Sequence, residues 1–149
     1  MKVAHLCSGL SGGAAMAARR LHHSLLDQGV ASSFYHAHQN TEDSSYTRCL
    51  DSQGFAALWQ RIKSSYFWRL NQAPLYRKRI RQTPFCAPVQ PWNTPASMLE
   101  EMPDILHLHF IAHFVDYPSF FHSLPRGLPI VWRIPDMSPL TAGCHYTWG

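Results

Sequence analysis

The first 37 residues constrain this chain most. Lys2-Val-Ala-His-Leu-Cys7 is a short run with Val3, Leu6 and Cys7 as its apolar members, and it meets Ser8-Gly-Leu-Ser-Gly-Gly13. Ala14, Ala17, Ala18, Leu21 and Leu25 then recur at helical spacing, and Gly29 stands where a C-terminal helix cap belongs. Ser32-Ser-Phe-Tyr-His-Ala37 follows at once as a second strand. Strand, glycine loop, helix and strand make a βαβ unit of the usual size. The alternation continues downstream. Asp104 to Phe110 reads as a buried strand, and Tyr117 to Leu124 as a short helix with Asp116 as N-cap and Pro118 in its first turn. Pro129 to Ile134 is a continuous apolar run, as in a parallel strand covered on both faces. Met98 to Met102 suits a short helix, Gln39 to Ser52 a polar loop, and Pro84, Pro88, Pro91 and Pro95 punctuate an irregular connection. The expected fold is α/β, a doubly wound Rossmann-like parallel sheet occupying residues 1–149 as one domain.

Composition narrows the class. Apolar residues make up 46% of the chain and charged residues only 15%, which excludes an intrinsically disordered chain. No apolar run approaches the roughly 20 residues of a membrane-spanning helix, and the N-terminal run is too short for a signal-peptide core. The expected location is cytoplasmic. The cysteines at 7, 49, 86 and 144 have no C-x-x-C spacing and read as reduced thiols. The last residues, Cys144 to Gly149, look like the middle of a loop rather than the close of a domain.

Charge is local. No acidic residue lies between Ser52 and Leu99, whereas Arg61, Lys63, Arg69, Arg77, Lys78, Arg79 and Arg81 give that stretch +7; the remainder has six Lys/Arg against nine Asp/Glu, or −3. Phe55, Leu58, Trp59, Ile62, Tyr66 and Leu70 recur at i, i+3, i+4 spacing, so residues 53–83 predict a basic, aromatic, amphipathic helical segment that Pro74 ends or kinks. Three readings fit it: an ordinary solvated basic face, a helix lying on an anionic membrane surface, and a nucleic-acid contact. No RNA- or DNA-binding motif accompanies the last, and nucleic acid is not an expected partner.

Three constellations could carry chemistry. Ser11-Gly12-Gly13 stands between strand and helix, where backbone N–H groups and a helix N-terminus can approach a phosphate, although it is neither a Walker A nor a G-x-G-x-x-G motif. His107 and His109 point to one face of their strand, with His113 nearby. Such imidazoles can hold a metal, but the acidic partner of metal hydrolases is missing, and the expectation is packing, with His109 or its neighbour looking into a cleft at the strand end and no metal bound. Asp136 sits at the carboxyl end of the last strand, where it is either a plain loop carboxylate or part of a site. Cys144 beside His145 is a poor nucleophile pair, because adjacent residues in an extended loop point apart.

Taken in order, these pieces resemble the glycosyltransferase family 4 proteins of bacterial polysaccharide clusters. The opening Met1-Lys-Val-Ala-His-Leu-Cys-Ser with Ser11-Gly-Gly-Ala-Ala, and the helix carrying Ala17-Ala-Arg-Arg-Leu-His22, match the family's start. Pro103-Asp-Ile-Leu-His-Leu-His-Phe-Ile111 and Pro129-Ile-Val-Trp-Arg-Ile-Pro-Asp-Met-Ser-Pro-Leu-Thr-Ala-Gly-Cys-His-Tyr146 are closer still. The resemblance covers both ends of the chain; residues 40–100 match only in general character. It implies the N-terminal, acceptor-side half of a GT-B architecture, with the second Rossmann-like domain absent or on a separate chain. It implies a retaining transfer from a nucleotide-sugar donor to a glycan or lipid-linked acceptor, without a cofactor. The donor phosphates would face Ser11, Gly12 and Gly13, His109 would border the acceptor cleft, and Asp136 would lie near the transferred sugar. One branch of the family has His where this chain has Pro135, and Trp where it has Ser138. The expectation is that the isolated chain binds donor weakly or not at all and does not turn over, and that an anionic membrane surface is met through Arg61, Lys63, Arg69, Arg77, Lys78 and Arg79 at the inner face. The alternative is a non-catalytic α/β binding protein built on the same scaffold.

Overall fold

A computed structural model describes residues 1–37, 47–49, 62, 65–67, 69–70, 86, 89–90, 96–141 and 144–146. Among the described residues five parallel strands form one sheet: β1 (Lys2–Leu6), β2 (Ala31–His36), β3 (Thr47–Cys49), β4 (Ile105–Leu108) and β5 (Ile130–Trp132), in the order β3-β2-β1-β4-β5. This is the Rossmann-like order, growing outward in both directions from β1. Between β1 and β2 runs α1 (Gly13–Asp27), and between β4 and β5 runs the short α2 (Tyr117–Ser123).

The helix boundaries are set by local chemistry. Gly29 takes φ 74°, and the N–H groups of Gly29 and Val30 donate to the carbonyls of Leu26 and Leu25 at 2.9 Å each. That pair of bonds is a Schellman closure, which a left-handed glycine permits. The Asp116 carboxylate accepts from Ser119 N at 3.1 Å and Ser119 Oγ at 2.6 Å, starting α2 as its sequence predicts, and it also accepts from Gln90 N at 2.8 Å.

The two faces of the sheet differ in chemistry. One presents Ala4, Leu6, Tyr35, Leu106 and Leu108 to Ile111, Val115 and Phe120, an apolar core closed by α2. The other presents Cys7 and Phe34 to Ala15 and Ala18 of α1, but His5, His22, His36 and His109 are buried as well. Burial of Ala15, Ala18 and His22 follows the 3, 4 spacing of one helical face.

Three expectations need correction. Residues 47–49 form a strand inside the stretch expected to be loop; Thr-Arg-Cys carries no apolar run to announce it. Ala96–Met98 is a 3₁₀ turn in place of a helix from Met98. β5 is not covered on both faces among the described residues: Ile130 and Val131 are 41% and 50% exposed. Most of the basic segment 53–83 lies outside the described residues. Within it Ile62, Tyr66 and Leu70 are exposed, and residues 65–67 are helical. No described helix is long and apolar enough to cross a membrane.

Candidate functional site at the strand-order reversal

In an open parallel sheet, ligands gather beyond the carboxyl ends of the strands where strand order reverses. Here that place lies between β1 and β4. His109 N donates to Leu6 O at 2.9 Å and Ser8 N donates to Phe110 O at 2.6 Å, so the two departing loops are joined there. The first loop continues through Ser11-Gly12-Gly13 into α1. Gly12 adopts φ 89°, ψ 169°, a conformation essentially confined to glycine. A Cβ at either Gly12 or Gly13 would meet nothing within 4 Å, so the requirement at Gly12 is conformational rather than steric. No side chain caps the start of α1. Its first N–H groups have no intrahelical acceptor and carry the positive end of the helix dipole. The glycine loop thus stands where a phosphate-binding reading needs it.

Asp136 follows β5 and is held from two sides. Ser138 N donates to its Oδ1 at 2.8 Å, closing an Asx turn, and His145 Nδ1 lies 3.1 Å from its Oδ2. The loop between them folds on itself: Met137 N donates to His145 O at 3.1 Å, and the Thr141 hydroxyl lies within hydrogen-bonding reach of the carbonyls of Met137 and Cys144, to one of which it donates at a time. His145 Nε2 meets Cys86 Sγ at 3.0 Å. In the neutral tautomer that turns Nδ1–H to the carboxylate, Nε2 is the acceptor and the thiol donates. The ring of Phe110 lies 6.2 Å from that of His145, which ties this loop back to the end of β4. Tyr117, at the start of α2, borders the same group. Its phenol is pushed up to about 12 by burial first, then by the acidic neighbours Cys86 and Asp136.

Cys86, His145 and Asp136 have the spacing of a nucleophile, base and orienting acid. The resting thiol is not a preformed nucleophile. Burial, and then the Asp136 charge, push the Cys86 thiol up to about 11. The group therefore rests as the neutral thiol at pH 7, whereas reactive cysteines are shifted the other way. The three residues therefore act as a clamp that closes the loop and fixes Asp136. His145 was considered in sequence only beside Cys144; its partner is 59 residues upstream, and nothing in the spacing of Cys86 signals it.

The histidines form a second group. His5 and His107 are register partners on adjacent strands, and His109 lies two residues beyond His107 on the same face. His5 Nδ1 and His109 Nε2 are 3.2 Å apart, and the ring centroids of His107 and His109 are 4.3 Å apart. One potential ligand atom from each of His5, His107 and His109 lies within 4.8 Å of the others, so the three could hold a metal ion. Burial, then the neighbouring histidines, push His5 down to about 3; burial, then His107 and Arg133, push His109 down to about 4. Both rings are neutral at pH 7. His5 Nε2 and His109 Nδ1 are buried without a hydrogen-bond partner among the described residues. Each such atom costs about 1–3 kcal/mol. His109 is 2% exposed, so its side chain lies beneath the edge, packed on His5 and His107, rather than opening into a cleft. His113 stands apart from this group at φ 60°, in the β4–α2 connection. His5 was missed in sequence because it lies more than a hundred residues from its partners; only the adjacency of β1 and β4 reveals it.

The structure thus places Ser11, Gly12 and Gly13 at the reversal, Asp136 in a clamped loop tied to the same edge, and His109 below it. Comparison with family models, with curated proteins and with solved structures returns no match.

Proposed function

We propose that this chain is the N-terminal, acceptor-side domain of a retaining glycosyltransferase that uses a nucleotide-sugar donor and a glycan or lipid-linked acceptor. The observation that carries the reading is the uncapped start of α1 behind a glycine-specific turn, at the strand-order reversal of a Rossmann-like sheet. A departing nucleoside diphosphate develops charge on its phosphate oxygens, and fixed N–H donors stabilise that charge without reorganising. Asp136, immobilised by Ser138 N and His145, offers an oriented carboxylate for sugar hydroxyls. The sequence resemblance supplies the substrate class. Donor specificity and most donor affinity belong to the second domain of that architecture, so the chain alone binds donor weakly and does not turn it over.

Peripheral contact with an anionic membrane belongs to the same reading. Ile62, Tyr66 and Leu70 recur every fourth residue and stand 53%, 67% and 57% exposed, with Arg69 beside them. Pro135 favours the second reading, a non-catalytic binding protein on this scaffold: it is exposed, and it lacks the imidazole and the N–H that a histidine there would present.

A binding series separates the readings. Nucleoside diphosphate sugar, nucleoside diphosphate and nucleoside monophosphate are titrated calorimetrically into the protein and into its Gly13→Ala and Asp136→Asn variants. The transferase reading expects weak binding that needs the diphosphate, a loss with Gly13→Ala, and a loss with Asp136→Asn only for the sugar-bearing ligand. Equal binding of all three ligands, or none, overturns it.

A further inference from the structure

We propose that His5, His107 and His109 form a three-imidazole site for one zinc-class divalent transition-metal ion, with its fourth position open to water or a small anion. Two nitrogens on one tetrahedral zinc, each at 2.0–2.1 Å, stand about 3.3 Å apart. His5 Nδ1 and His109 Nε2 already stand 3.2 Å apart, with both side chains buried and fixed by β1–β4 pairing. The third ligand group, His107, is half-buried, and its ligand atom lies within 4.8 Å of the other two, so a rotation of its side chain would be needed to complete the site.

Access exists on one side. α1 covers His5, whose ring meets that of His22 edge-on at 5.9 Å. Toward β5 the same face carries Val131, the register partner of His107, at 50% exposure, followed by the exposed Arg133. An ion enters over β5 and leaves its fourth position facing that strip. Ligand chemistry selects the ion. Three neutral imidazoles, with no carboxylate in the cluster among the described residues, suit zinc, cobalt, nickel or copper rather than the oxygen-seeking magnesium and calcium. The positive charge of Arg133 reaches His107 and His109, so an anion or hydroxide in the fourth position is the favoured complement. The ion would join the two central strands beneath the loops of the strand-order reversal, and it is independent of the sugar-transfer reading.

The test starts from chelator-treated protein titrated with Co²⁺, whose visible d–d bands report four-coordinate nitrogen ligation. One equivalent is expected to produce the bands, Zn²⁺ to abolish them by displacement, and His107→Ala to lose them while keeping its far-UV circular dichroism. His113→Ala and His122→Ala are expected to retain them. Long-range ¹H–¹⁵N spectra of the wild-type protein provide a readout without substitution: one equivalent of Zn²⁺ should shift the ring nitrogens of His5, His107 and His109 and leave those of His113 and His122 in place. Absence of bands, bands retained in His107→Ala, or bands lost in His122→Ala would overturn the assignment. So would Zn²⁺ shifts confined to other histidines.

Discussion

Substituting the two adjacent glycines separately should move stability in opposite directions. Gly12 holds φ 89°, ψ 169°, and its carbonyl accepts the Met16 N–H at 2.9 Å, the first hydrogen bond of α1. Alanine there meets no atom, so its whole cost is backbone strain, about 1–3 kcal/mol. Gly13 is already the first helical residue, and a Cβ there also meets nothing within 4 Å. Alanine at 13 restricts the unfolded chain without straining the folded one, a gain of about 0.4–1 kcal/mol. The variants should therefore differ by about 1.4–4 kcal/mol, against a shift of about 2–4 °C in Tm per kcal/mol for a domain of this size. Urea unfolding followed by circular dichroism measures this directly, with the midpoint falling in Gly12→Ala, rising in Gly13→Ala, and the slope unchanged. Equal destabilisation by both, or a larger loss at Gly13, would refute the conformational argument. Because Gly13→Ala keeps the fold intact, any loss of diphosphate binding in that variant reports the approach of ligand to backbone.

Acid should destabilise the metal-free protein steeply. His5, His22 and His109 are pushed down to about 3, 4 and 4, mainly by burial, from an unfolded value of 6.5. Above pH 6.5 they are neutral in both states; below it the unfolded chain takes up protons that the native chain refuses, so stability falls from about pH 6.5 toward pH 4. Urea midpoints across that range should give a proton uptake on unfolding approaching three from these residues, and an uptake of one or fewer would contradict their burial. Asp116→Ala removes the α2 cap and the bond from Gln90 N, at a cost of about 2–4 kcal/mol in a thermal melt, whereas Asp116→Asn should recover much of it. Alkylation of Cys86 by iodoacetamide at pH 8 should lag well behind a free thiol. A rate equal to or above that of glutathione would restore the nucleophile that its raised thiol excludes.

Local signals in the sequence carried as far as local forces reach. Gly29 and Asp116 announce their helix boundaries because the bonds that end α1 and begin α2 lie within a few residues of them. The short run ending in Cys7, the glycine loop, the helical spacing of Ala14 to Leu25 and the cap at Gly29 placed β1, α1 and β2, since these signals are local. What stayed hidden depends on pairing across the chain. β3 is three residues of Thr-Arg-Cys whose strand character comes from lying beside Phe34–His36. The exposure of Val131 follows from the edge position of β5, and a run of apolar residues cannot tell an edge strand from a central one. His107 and His109 could be put on one face by alternation alone, but the third imidazole comes from β1. Asp136 could be seen at a strand end, while its clamp needs Cys86 from a proline-rich connection with no periodicity to read.

The central claim is that the edge where β1 and β4 diverge receives the phosphates and the sugar of a nucleotide-sugar donor. The most direct measurement is an amide ¹H–¹⁵N titration of the protein with a nucleoside diphosphate sugar, for which weak binding suffices. The account predicts the largest shifts at Ser11, Gly12, Gly13 and Ala14, with Asp136 and Ser138 responding to the sugar and not to the nucleoside diphosphate alone. Shifts confined to the opposite edge around Asp104 and Leu128, or no shift in the Ser11–Ala14 amides at saturating ligand, would contradict it.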